Sequence, residues 1–201
     1  MSALASVDTL LADRRLWRGG RETLGRAGEP TGFATLDAAL PGRGWPPGAL
    51  SELLLRADGL GELGLLLPTL ARFTRAGRQV ALIAPPYLPY APALAAADID
   101  LSKLLLVQAE GREALWAAEQ ALRSGACAAV LCWPKGADDR ALRRLSMAAE
   151  QGEALGFAFR PRRALEQPSP AALRIELLER DALRIHKCRG GVAPARVLRP
   201  Q

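Results

Sequence analysis

Short, almost wholly apolar runs without polar alternation recur along this chain at residues 79–84, 104–108 and 127–133, separated by stretches of helical periodicity. A strand that is apolar on both faces has to be covered on both. Strands joined through helices run parallel, so the pattern predicts an α/β fold: a mainly parallel sheet with helices on both faces. Further strands are expected at 50–55 and 155–160, and helices at 64–76, at 113–123, and from an Asp138 cap to about residue 151. Leu115, Ala118 and Leu122 share one face of the second of these helices, and Gly125 stops it. After a proline-rich loop, Leu173, Ile175 and Leu177 and then Leu183 and Ile185 alternate as two antiparallel edge strands joined near Arg180 and Asp181.

The 201 residues suit one ordinary domain, and no internal repeat or second core is legible. Ahead of the core, residues 2–18 read as a separate N-terminal helix, with Leu4, Val7, Leu10, Leu11 and Trp17 toward one side. Gly19, Gly20, Gly25 and Gly28 then form a connector ending at Pro30, so this helix either packs on its own core or reaches another protein. The chain divides into an N-terminal helix and linker (1–28), a core (29–190) and a basic tail (191–201).

The formal charge of +6 comes from 27 Lys and Arg against 21 Asp and Glu, and only three of the bases are lysines. The excess is local: residues 160–201 hold ten basic and four acidic side chains, while residues 1–159 balance. A basic end carrying Lys187, Arg189, Arg196 and Arg199 is a candidate nucleic-acid contact, with solubility as the bland alternative. Arg140, Arg143 and Arg144 lie on the polar side of one helix, either as a solvated face or as a phosphate-tracking patch.

Three cysteines, Cys127, Cys132 and Cys188, with a lone His186 make no usual metal set, so reduced thiols in a cytoplasmic protein and no metal are expected. His186 and Cys188 are expected to point the same way on one strand. The longest apolar run, 63–67, falls far short of the roughly 20 residues of a membrane helix, so no membrane association is expected.

In an open parallel sheet, the turn after the first strand is the usual phosphate site. A phosphate loop places glycine, lysine and a hydroxyl residue where this chain has Arg56, Glu62 and Leu63, and of its defining positions only Gly61 is kept. Glutamate for lysine reverses the charge where triphosphate would come closest. Trp133 and Pro134, with Pro85, Pro86, Tyr87, Pro89 and Tyr90, end neighbouring strands at the same edge. They either present an aromatic surface to a partner or to bases, or fill the volume of a lost nucleotide.

Residues 31–40 and 44–52 resemble the segment leading into the phosphate loop of RecA-type recombinases. Ala57-Asp58-Gly59-Leu60-Gly61-Glu62-Leu63, 84–92, 114–120, 129–134, Asp138-Asp139-Arg140-Ala141-Leu142-Arg143-Arg144-Leu145 and Lys187-Cys188-Arg189-Gly190-Gly191 are more specifically similar to the ImuA family of translesion-synthesis accessory proteins. The resemblance implies a RecA-like core in which Pro86 stands at the catalytic glutamate and Trp133 at the magnesium-linked aspartate. It therefore implies no enzyme activity and no cofactor.

By the same resemblance, the expected function is a non-catalytic adaptor of error-prone translesion DNA synthesis in the SOS response. Its partners would be an ImuB-like Y-family polymerase relative and an error-prone replicative-type DNA polymerase. Leu10, Leu11, Arg14 and Trp17, and at the sheet edge Tyr87, Tyr90 and Trp133, are the expected contacts, in a cytoplasmic protein associated with the nucleoid during DNA damage. Two alternatives stand beside it: a regulator that caps RecA filaments, and a cell-division inhibitor like the related SulA proteins.

Overall fold

The computed structural model describes residues 27–59, 61–179 and 182–200. The expected N-terminal helix, with Leu10, Leu11, Arg14 and Trp17, and the turn at Arg180 and Asp181 lie outside the described residues.

Seven strands form one sheet: β1 (Ala49–Leu55), β2 (Gln79–Ile83), β3 (Leu104–Val107), β4 (Cys127–Cys132), β5 (Leu155–Pro161), β6 (Leu173–Glu179) and β7 (Ala182–Cys188). Their order across it is β3-β2-β4-β5-β1-β6-β7. Every neighbouring pair is parallel except β6 with β7. The penultimate strand therefore belongs to the parallel body, and β7 alone runs against it.

The connecting helices are α2 (Leu67–Arg75), α3 (Ala91–Ala96), α4 (Gly111–Arg123) and α5 (Asp139–Gln151), preceded by the short α1 (Ala34–Ala39). From β1 the chain crosses to β2 and β3 toward one edge through α2 and α3; it then returns to β4 and β5 through α4 and α5. With a constant crossover hand, reversing direction moves the helix to the other face. Accordingly Leu66, Leu70, Phe73 and Leu94 pack with Leu53, Val80, Leu82, Leu131, Phe157 and Ile175 on one face. Ala118, Leu122, Leu142 and Leu145 pack with Leu50, Ala81, Ile83, Val130 and Ala158 on the other.

Local sequence sets the boundaries. The Asp138 carboxylate accepts the Ala141 N–H at 2.7 Å and caps α5, as expected of an N-cap aspartate. At Gly152, beyond the end of α5, a Cβ would lie 1.9 Å from the Leu122 carbonyl oxygen, so only glycine lets this turn close on the end of α4. Helix α2 starts at Leu67, with a separate 3-10 turn, Glu62–Leu65, between it and β1. The tail folds back: Leu198 exchanges both backbone hydrogen bonds with Leu183 (2.8 and 2.9 Å) and is buried. The part of the basic tail around it is therefore anchored to β7.

Candidate functional site

The C-terminal ends of the parallel strands carry the loops where an open α/β sheet ordinarily binds ligands, between strands whose connections leave to opposite faces. Here β2 leads to the α3 face while β3 and β4 lead to the α4 and α5 face. A cleft of about 820 Å³ opens at this point, lined by Pro85, Pro86, Gln108, Glu110, Trp133 and Lys135 among others.

The loop after β1 closes on itself. Gly59 and Gly61 take φ of +81° and +89°, left-handed values that suit glycine. The Gly59 N–H donates to Glu62 Oε1 at 3.0 Å. Glu62 is 7% exposed, and its Oε2 has no hydrogen-bond partner among the described residues. A carboxyl group therefore accepts from an amide of the loop that in a phosphate-binding loop would face the phosphate. The 3-10 turn that follows delays α2, whose first turn carries Pro68 and has no side-chain cap.

The two other degenerate positions diverge. Pro86 is half-buried in the loop after β2. Trp133 is buried, its ring stacked on Phe159 with centroids 4.4 Å apart and planes within 10°, and its indole N–H has no acceptor among the described residues. Trp133 therefore serves as core as well as cleft wall and does not share an exposed contact surface with the tyrosines. Tyr87, Leu88 and Tyr90 are open to solvent at 65%, 72% and 72%. A Cβ on Gly59 would lie 3.0 Å from Tyr87 Cε2, so the Tyr87 ring covers the closed loop and the two features form one surface.

The arginines proposed to track phosphate are exposed but mostly engaged. Arg143 pairs with Asp139 at 2.7 Å, and Arg144 with the buried Glu119 of α4, which also holds Arg123 at 2.6 Å. Arg140 is exposed on the same helix. Lys187 donates to the Ser169 carbonyl at 2.7 Å and Arg189 to that of Pro170 at 3.1 Å, which ties both to the proline-rich loop. Arg196 and Arg199 lie at the surface.

A bulge in β7 separates His186 from Cys188. Arg174 lies opposite Lys187 but Ile175 opposite Ile185, so His186 is the extra residue. Cys188 then packs on the apolar face while His186 pairs with Glu176 at 2.8 Å. Burial pushes the Cys132 thiol up to about 12 and that of Cys188 to about 11.

A cluster that composition hides lies on the side of the sheet away from α2. Glu52 in β1, fully buried, accepts from Arg160 of β5 at 2.7 Å and from Arg174 of β6 at 2.5 Å. The guanidinium groups continue to the carbonyl oxygens of Ala137 (3.2 Å) and Ala164 (2.6 Å) and to the Gln167 side chain (3.1 Å). Beside it, the buried Glu176 holds Arg162 and His186. These ion pairs fasten the 3-10 segment Arg162–Glu166 against β1 and β6. The readable signal is a charge in each strand, Glu52 within 50–55 and Arg174 and Glu176 alternating with Leu173, Ile175 and Leu177.

The sequence model of the family "Cell division inhibitor SulA" matches residues 48–156, more than half of the chain. This protein belongs to the SulA family. The cell division inhibitor SulA of Edwardsiella piscicida is 38% identical over 103 residues, which cover 49% of this chain; the chain spans 60% of that relative's length. The crystal structure of SulA from Pseudomonas aeruginosa superposes with a TM-score of 0.48 at 33% identity, covering 57% of this chain and 99% of that one.

Membership in the SulA family overturns the ImuA assignment. The stretches that pointed there from Ala57-Asp58-Gly59 to Leu145 lie inside the segment matched by the SulA model, and Lys187-Cys188-Arg189-Gly190-Gly191 lies beyond it. The ImuB-like and error-prone polymerase partners, the translesion role and the nucleoid association go with it, and of the three functional readings the division inhibitor is the one favoured. Among the described residues no helix is long and apolar enough to cross a membrane.

Proposed function

We propose that this protein is a non-enzymatic, cytoplasmic inhibitor of cell division in the SOS response, acting by binding FtsZ. The observation that carries the reading is the SulA family match across the parallel core. Three features support a binding role over catalysis: the loop after β1 holds the Glu62 carboxyl, Pro86 offers no general base, and Trp133 is packed into the core. On this reading the core is a RecA-like one that has kept its sheet and lost its nucleotide, and Tyr87, Leu88 and Tyr90 form the centre of the partner surface, where aromatic side chains supply contact area.

The test is induced expression of the full chain in a rod-shaped bacterium, together with gel filtration against purified FtsZ. Long filaments without septa and co-elution are expected, both lost in Tyr87→Ser/Tyr90→Ser. Normal division in cells that contain the folded protein, with no co-elution, refutes the proposal.

A further inference from the structure

Under the closed loop lies a cavity of about 220 Å³ that involves none of the residues of the larger cleft. Its wall includes Glu62, the apolar side chains of Phe33, Leu65, Leu177 and Leu183, and two glycines, Gly61 and Gly64. A Cβ added at either glycine would meet nothing within 4 Å, so this side of the wall is open space. Glu62 is more than nine-tenths buried; one oxygen is held by the Gly59 N–H and the other has no donor among the described residues.

We propose that this cavity is a binding site for an alkyl-guanidinium or alkyl-ammonium group. The chemistry follows from the wall. A lone carboxyl oxygen withdrawn from water takes a charged donor most strongly, through a charge-assisted hydrogen bond. A hard divalent cation such as Ca2+ or Mg2+ would need six or more oxygen ligands and zinc four ligands drawn mainly from His and Cys, and beside Glu62 the wall residues supply none of these side chains. An anion is repelled. Apolar side chains beside one acid instead match a cation carried on a hydrocarbon stem, which buries its methylenes and presents its head. The volume is below the roughly 300–1,000 Å³ of sites for drug-sized ligands and suits a single side chain or a short amine. Two sources share this chemistry: an Arg or Lys side chain of a protein partner, and a free small organic cation.

The probe is n-butylguanidinium, titrated into the 15N-labelled full chain, with sodium butyrate as the control anion. Saturable shifts are expected at the amides of Gly59, Gly61, Leu65 and Leu183. Glu62→Gln, which keeps the shape and removes the charge, weakens them at least tenfold. Gly64→Leu abolishes them by filling the cavity with Glu62 in place; Gly64 has no left-handed φ to strain. Unchanged shifts elsewhere in each variant's spectrum establish that it is folded. Absence of saturable shifts in the wild type, or shifts undiminished in folded Glu62→Gln, overturns the proposal. A second arm assigns the source: displacement of FtsZ by butylguanidinium points to a partner's side chain, and saturable binding without displacement to a free small cation. Failure of FtsZ to bind at all refutes the proposed function and leaves the first arm intact.

Discussion

Replacing Glu52 with alanine removes the one carboxylate that two buried guanidinium groups share. Glu52 is fully buried, and the side chains of Arg160 and Arg174 are 5% and 9% exposed, so neither positive charge can turn to water without opening the sheet. Removing one partner of a buried ion pair costs about 3–5 kcal/mol, mostly as the penalty of the charge left behind. With two charges left behind, Glu52→Ala belongs at the upper end, about 4–5 kcal/mol, a large part of the roughly 5–15 kcal/mol that holds a domain folded. At about 2–4 °C per kcal/mol for a chain of this size, the melting temperature falls by roughly 8–20 °C. Glu52→Gln keeps an acceptor for one arginine and falls between the two proteins. Urea unfolding followed by circular dichroism measures the difference, and hydrogen exchange at 162–167 reports whether the fastened segment loosens first. A Glu52→Ala protein within about 1 kcal/mol of wild type would refute the role given to the cluster.

Two further outcomes follow from the charges and thiols. Burial alone would raise the Glu176 carboxyl, but hydrogen bonds from Arg162 and His186 outweigh it and leave its pKa below the ordinary value. A depressed carboxylate contributes stability that is present above its unfolded pKa and lost as the pH falls through the folded one. The urea midpoints of wild type and Glu176→Gln therefore differ most near neutrality and converge only as the pH falls below the ordinary carboxylate range; a gap that is constant with pH contradicts this. The thiols of Cys127, Cys132 and Cys188 are all raised by burial. Native protein at pH 8 therefore resists iodoacetamide, and unfolded protein gains three adducts by mass spectrometry; rapid native labelling of Cys132 would show that its strand opens.

The parallel core was readable because its signals are local. The apolar runs at 79–84 and 127–133, the Asp138 cap and the alternation around Ile175 each depend on a few adjacent residues, and each element formed close to the expected place. Helices α1 and α3 went unseen because six residues hold less than two turns of periodicity. At the closed loop, charge reversal at Glu62 was legible, but its burial and its bond to Gly59 depend on how the loop folds. The Glu52 cluster was illegible for a different reason. Its members come from β1, β5 and β6, brought together by sheet order, and Arg160 and Arg174, which contribute to the basic excess of residues 160–201, are internal counter-ions. A one-residue bulge likewise turned Cys188 away from His186, and no periodic rule marks where a strand will take an extra residue.

The strand order also sets a schedule for synthesis. Strand β1 leaves the ribosome before the other six strands of the sheet, yet its two neighbours are β5 and β6, encoded on the order of 100 residues later. At roughly 5–20 residues per second, Leu50, Leu53 and Leu54 wait about 5–20 s for the edges that will cover them. A strand buried along its whole length in the finished protein is thus the one exposed longest during its birth. A chaperone that grips apolar segments has that interval in which to act, and a chain cut short before β5 is left with β1 unpaired on both sides.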